Sequence, residues 1–84
     1  MTIWQAAAVG HTTELARWLA GSAVTADEVT NACWHACRAG QLDTARMLTE
    51  RGADVDWLGY DHLTARQAAL VAGNADLVLW LATI

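Results

Sequence analysis

The sequence contains no lysine, and its five basic residues are scattered arginines: Arg17, Arg38, Arg46, Arg51 and Arg66. No basic patch follows from that placement, which excludes a phosphate backbone, and so a nucleic acid, as the expected partner. The net charge of −4 is too mild to imply a basic partner by itself. No apolar run reaches the roughly 18 residues of a membrane span, because Thr, Gln, Glu, Arg and Asp interrupt every stretch. The start, Met1-Thr2-Ile3-Trp4-Gln5, lacks the basic region and long apolar core of a signal peptide. A cytoplasmic protein with no membrane contact is therefore expected. The absence of lysine and phenylalanine beside abundant alanine suggests a GC-rich coding sequence, and hence a bacterial source.

Only two cysteines occur, Cys33 and Cys37. Four residues apart on a helix they share a face, where a disulfide is geometrically poor. Two free thiols fit a reducing compartment. His35 lies between them on another face. A zinc site needs about four ligands, and His11 and His62 are the other imidazoles. A thiol site at Cys33 and Cys37 is thus the remote alternative, and buried apolar cysteines are the better reading. A catalytic thiol needs exposure and an orienting base, and nothing at these spacings supplies them. No glycine-rich phosphate loop, special pair of carboxylates or Ser/His/Asp elbow appears. No enzyme, metal or cofactor is expected.

What is present is a repeat. Ala36-Cys37-Arg38-Ala39-Gly40 followed by Gln41 to Leu48 is echoed by Ala69-Leu70-Val71-Ala72-Gly73 followed by Asn74 to Leu81. Gly40 to Gly73, Asp43 to Asp76 and Leu48 to Leu81 are all steps of 33 residues. A weaker copy, Ala6 to Gly10 and then Glu14 to Leu19, precedes them. A fixed period in this range predicts stacked helical units. The 84 residues read as one small domain with repeats at about 1–30, 31–63 and 64–84.

This pattern resembles the ankyrin repeat, most strongly from Gly40 to Asp56, where Gly52-Ala53-Asp54-Val55-Asp56 looks like the family's turn after the second helix. Gly52 can adopt the left-handed conformation that ends a helix, and Asp54 can accept backbone hydrogen bonds. The family's Thr-Pro-Leu-His opening is degraded to Asn31-Ala32-Cys33-Trp34 and Thr64-Ala65-Arg66-Gln67, and the chain has no proline. The resemblance implies an all-α solenoid of three helix-turn-helix repeats with six short helices.

Helix one is expected over Ile3 to Val9, and helix two to Ala20, with Thr12 or Thr13 as its cap. Gly21 to Thr25 is a connection. Thr25 and Glu28 form a capping box, so helix three starts near Ala26 and replaces the usual finger with helix. Helix four runs from Leu42 to Arg51, with Asp43, Arg46 and Glu50 on a solvated face. Val55 to Leu63 is an extended finger. Thr64 and Gln67 open helix five, and Asn74 caps helix six from Ala75 to about Thr83.

By position in the repeat, Trp18 and Trp80 match Met47 and are expected in the core. Trp4 and Trp34 are equivalent and expected to be partly buried. Trp57 and Tyr60 in the finger have the character of interface anchors. The resemblance implies a non-catalytic protein-binding module using finger and concave groove. Its expected contact residues are Trp57, Tyr60, His62, Arg38 and Val71, in a groove lined also by Ala8, Val9, Ala39 and Ala72. Helix six carries no charge after Asp76, so a longer array or a homo-oligomer is expected to cover residues 75–84. A self-associating scaffold is the alternative function.

Overall fold

The computed structural model describes residues 2–21 and 24–84. Residues 22 and 23 of the connection read from the sequence lie outside the described residues. The helices are α1 (Ile3–Ala8), α2 (Thr12–Ala20), α3 (Ala26–Arg38), α4 (Leu42–Glu50), α5 (Ala65–Ala72) and α6 (Ala75–Leu81). A 3-10 turn covers Tyr60–His62, and no strand occurs among the described residues. This is the all-helical solenoid of three helix pairs that the sequence predicts.

Local chemistry starts the inner helices. Thr25 and Thr64 accept from the backbone N–H groups of Glu28 and Gln67, whose side chains accept back from the threonine N–H groups. Thr2 and Gln5 repeat the device at α1. Each box satisfies orphan donors at a helix start. Asn74 caps α6 by accepting from Leu77 N–H at 3.2 Å. The expected threonine cap of α2 is not formed. His11 occupies that position without a side-chain bond, and Thr12 is already helical.

The turn between paired helices is one motif used three times. Gly10, Gly40 and Gly73 have φ of 75°, 76° and 75°. A side chain in this left-handed region is strained, and glycine is not. The turns are also tied to one another. Gln41 Nε2 donates to Ala8 O at 3.4 Å, and Asn74 Nδ2 donates to Gly40 O at 2.9 Å. Each repeat thus bonds the turn of the one before it. Gly52, at φ 93°, ends the second pair in the same region, as expected.

The inner helices α1, α3 and α5 lie in a row, with α3 packed between the other two and against α4. Alanine makes this possible: Ala6, Ala7, Ala32, Ala36, Ala68 and Ala69 are fully buried where these helices meet. Leu15, Leu48, Leu77 and Leu81 fill the space beneath the outer helices. Cys33 and Cys37 are buried small apolar residues, the reading favoured from the sequence. Asp43, Arg46 and Glu50 face solvent. Trp80 and Met47 pack on the core edge. Trp18 does not follow them. It is 39% exposed, against the core position expected of it.

The longer α3 sets the middle repeat apart. Its 13 residues compare with 6 in α1 and 8 in α5. By register the second repeat opens at Asn31, inside this helix. The extra turns reach the connection that follows α4: Thr30 Oγ1 accepts from Asp54 N–H at 3.0 Å. Asp54 Oδ1 in turn accepts from Asp56 N–H at 2.9 Å, the role expected of it in the turn.

Arg66 stands where the other repeats place Ile3 and Cys33. It does not enter the core. Its Nε donates to Asp56 Oδ1 at 2.8 Å, its Nη2 to Ile84 O at 2.9 Å, and its Nη1 to Leu81 O. The guanidinium thereby binds one carbonyl at the end of α6 and one just beyond it.

Candidate functional site

The finger is held from beneath by Trp34, which is 4% exposed. Its Nε1–H donates to Leu63 O at 2.9 Å. The same oxygen accepts from Gly59 N–H at 2.8 Å, while Leu63 N–H donates to Tyr60 O at 3.0 Å. The loop is therefore closed on itself and pinned to α3. A Cβ on Gly59 would lie 2.7 Å from Trp57 and 2.8 Å from Trp34, so only glycine lets the two indoles approach the backbone this closely. The finger expected from the sequence as extended instead turns tightly at its end, through the 3-10 turn at Tyr60–His62. Asp61 and His62 both take positive φ, 56° and 58°. For non-glycine residues such angles cost free energy and persist only where the surroundings impose them.

The result is a continuous row of rings. Trp4 meets His35 with centroids 4.8 Å apart, and His35 meets Tyr60 at 5.2 Å. Trp34 lies 5.0 Å from Tyr60, nearly edge-on, and Tyr60 lies 6.1 Å from Trp57 at 83°. Pairs of this geometry stabilise by about 0.5–1.5 kcal/mol beyond their buried area. Trp57 is 38% exposed and Tyr60 49%, so neither folds back under its own helices.

Of the residues singled out from sequence, Trp57 and Tyr60 are thus brought together. His62 is exposed but makes none of the ring contacts found among the described residues. Arg38 and Val71 are exposed near the ends of α3 and α5, where Val9 and Ala39 are exposed too. They are not part of the aromatic row. His35 and Trp4 are the members that sequence reasoning missed. The signal was present in the adjacency of His35 to Trp34, whose repeat equivalent is Trp4, but only stacking shows that the step from Trp4 to His35 spans two helices. Burial lowers the pKa of His35 below the usual imidazole value.

Two hollows flank this row. One of 330 Å³ is lined by Asp27, Thr30, Asn31, Trp57 and Tyr60. The other, of 430 Å³, is lined by Trp4, Trp18, Gln5, Glu28 and Asn31 among others. A larger hollow of 600 Å³ lies between α4, the Asp54–Asp56 turn and the end of α6. The Arg66–Asp56 ion pair lies on its wall, so those charges already serve each other.

The thiols are closed to chemistry. The Cys33 thiol is pushed up well above the ordinary range by its side-chain interaction with Cys37, by burial and by the charge a second thiolate would bring. Cys37 is drawn down by the same interaction against its own burial, yet neither side chain is exposed. Among the described residues, no three His, Cys, Asp or Glu side chains come together to hold a metal. No helix among them is long and apolar enough to cross a membrane.

The chain belongs to the ankyrin repeat family: the model for ankyrin repeats in three copies matches residues 3–84. Ankyrin repeats are generally protein–protein interaction modules and are typically non-catalytic. No curated protein matches the chain.

Proposed function

We propose that residues 1–84 act as one binding domain that presents the finger and the adjoining groove to a partner protein. Trp57 and Tyr60 are the anchors, His62 borders them, and Arg38 and Val71 extend the contact along the groove. The observation that carries this reading is the state of the finger. Two large aromatic side chains stay exposed on a backbone closed by hydrogen bonds and held in strained angles. A rigid, exposed aromatic pair loses little conformational entropy on binding, and such residues dominate interface energetics. Selection from a displayed random-peptide library tests it. Peptides that bind the domain should lose at least about tenfold in affinity to Trp57→Ala or Tyr60→Ala, the loss of one interface anchor. Peptides indifferent to both changes would remove the reading.

A second reading, self-association through α6, rests on Leu79 of that helix and Ile84 just beyond it, which are 66% and 52% exposed in a segment with no charge after Asp76. Sedimentation should then show a dimer or larger assembly that Leu79→Gln dissociates. A concentrated monomer would rule it out.

A further inference from the structure

We infer that the hollow between the start of α3 and the finger holds a basic side chain, arginine or lysine, of the bound protein. This rests on the protein-binding reading above and names the chemistry of its central contact. The whole-chain charge implied no such partner, but the local arrangement does.

The hollow owes its existence to the lengthened α3. The helix begins at Ala26 rather than near Asn31, and the added turns carry Asp27 and Thr30 up beside the finger. There they face Trp57 and Tyr60 across 330 Å³ of open space. The two rings meet at 83°. An aromatic face is the negative pole of its ring and attracts a cation lying within about 6 Å of the centroid. Asp27 adds a full negative charge to the same wall, and among the described residues no arginine or histidine lines the hollow. Glu28, next in the first turn, caps Thr25 and lines the neighbouring hollow instead. The charge of Asp27 alone exceeds the roughly half positive charge of a helix N-terminus.

Asn31 contributes an independent sign. It lines this hollow and the one beside Trp4, and its Oδ1 is buried without a hydrogen-bond partner among the described residues. An unpaired amide oxygen out of water is costly, and a donor entering the hollow removes that cost once the amide turns toward it. Thr30 Oγ1 is already engaged as an acceptor from Asp54 N–H. The unsatisfied needs of the hollow are therefore a positive charge, an N–H donor and a flat or slender apolar stem. A guanidinium meets all three, stacking on a ring while forking its N–H groups between Asp27 and Asn31. An ammonium on its four-carbon stem meets them with less directionality.

Acetyl-arginine methylamide is the probe, and the isosteric neutral citrulline derivative is its control. In amide-resolved NMR of the whole chain, the arginine compound should shift the Trp57 indole N–H and the backbone signals of Asp27, Asn31 and Tyr60. Citrulline should bind at least about tenfold more weakly, the loss of one cation–π and one carboxylate contact. Asp27→Asn and Tyr60→Leu should each weaken the arginine compound about fivefold or more on the same grounds. The spectrum of each variant reports whether it is folded. Equal binding of citrulline and arginine, or arginine shifts confined to surfaces away from the hollow, would overturn the inference. Library-selected peptides that need Trp57 but carry no arginine or lysine would also overturn it, while leaving the protein-binding reading intact. Arginine binding in the hollow with no peptide dependent on Trp57 or Tyr60 would do the reverse.

Discussion

Cys33 in α3 and Arg66 in α5 stand 33 residues apart at the same position of the repeat, and they meet opposite surroundings. Cys33 is fully buried, whereas the Arg66 side chain is one-third exposed and spends its donors on carbonyls and a carboxylate. The neighbouring pairs behave alike. Trp34 is buried under the finger while its counterpart Gln67 is exposed and merely caps a helix. Cys37 has no exposure, and its counterpart Leu70 has 63%. One register therefore yields two environments. The middle helix is covered on both flanks by α1 and α5, while α5 has α3 on one flank and its own partner α6. In a stack, burial belongs to the neighbours as much as to the motif.

Equivalent substitutions should therefore have unequal costs. Trp34→Ala removes a buried indole and its bond to Leu63 O, and should cost about 3–5 kcal/mol. Gln67→Ala removes one side of a capping box and should cost about 1 kcal/mol or less. Urea unfolding followed by circular dichroism compares them directly, and similar midpoints would break the comparison. Gly59→Ala sharpens it by wedging a methyl group between Trp57 and the buried Trp34. We expect about 1–3 kcal/mol of destabilisation, with a blue or red shift in tryptophan emission as the finger moves. Arg66→Ala tests the end of the stack alone. Loss of its partly exposed contacts should cost about 1–2 kcal/mol, and hydrogen exchange should rise first at α6.

The smallest expected effect is a pH dependence from His35. Its folded pKa is lowered by burial, so as pH falls the unfolded chain takes up this proton before the folded chain does. The stability it contributes is complete above the unfolded value of about 6.5 and is lost as pH falls toward the lowered folded value. Wild type should lose stability over that window, and His35→Gln should lose less. Parallel curves for the two proteins would show that the aromatic row does not shield this ring.

The repeat period, the helix pairs, the left-handed Gly52 and the boxes at Thr25 and Thr64 were legible in the chain because each depends on residues within one or two helical turns or on a regular spacing. The threonine cap of α2 was misjudged by a residue or two. There the competing N-cap, His11, lacks the short oxygen acceptor on which such readings rely. The finger was placed correctly between Val55 and Leu63, but its tight turn was not. Positive φ at Asp61 and His62 is imposed by the contacts of Trp34, Gly59 and Leu63, residues as far as 29 apart in sequence.

Sequence alone thus determined that this protein is a three-unit helical stack with an aromatic finger, since spacing and capping are local and survive degraded motifs. The tertiary structure decided which rings touch, that His35 joins Trp4 to Tyr60, that Asp27 and Asn31 reach the finger, and that Arg66 leaves the core to bind the end of α6. Those outcomes depend on helices being brought within a side chain's reach of one another, and that distance is set by packing rather than by any residue's own preference.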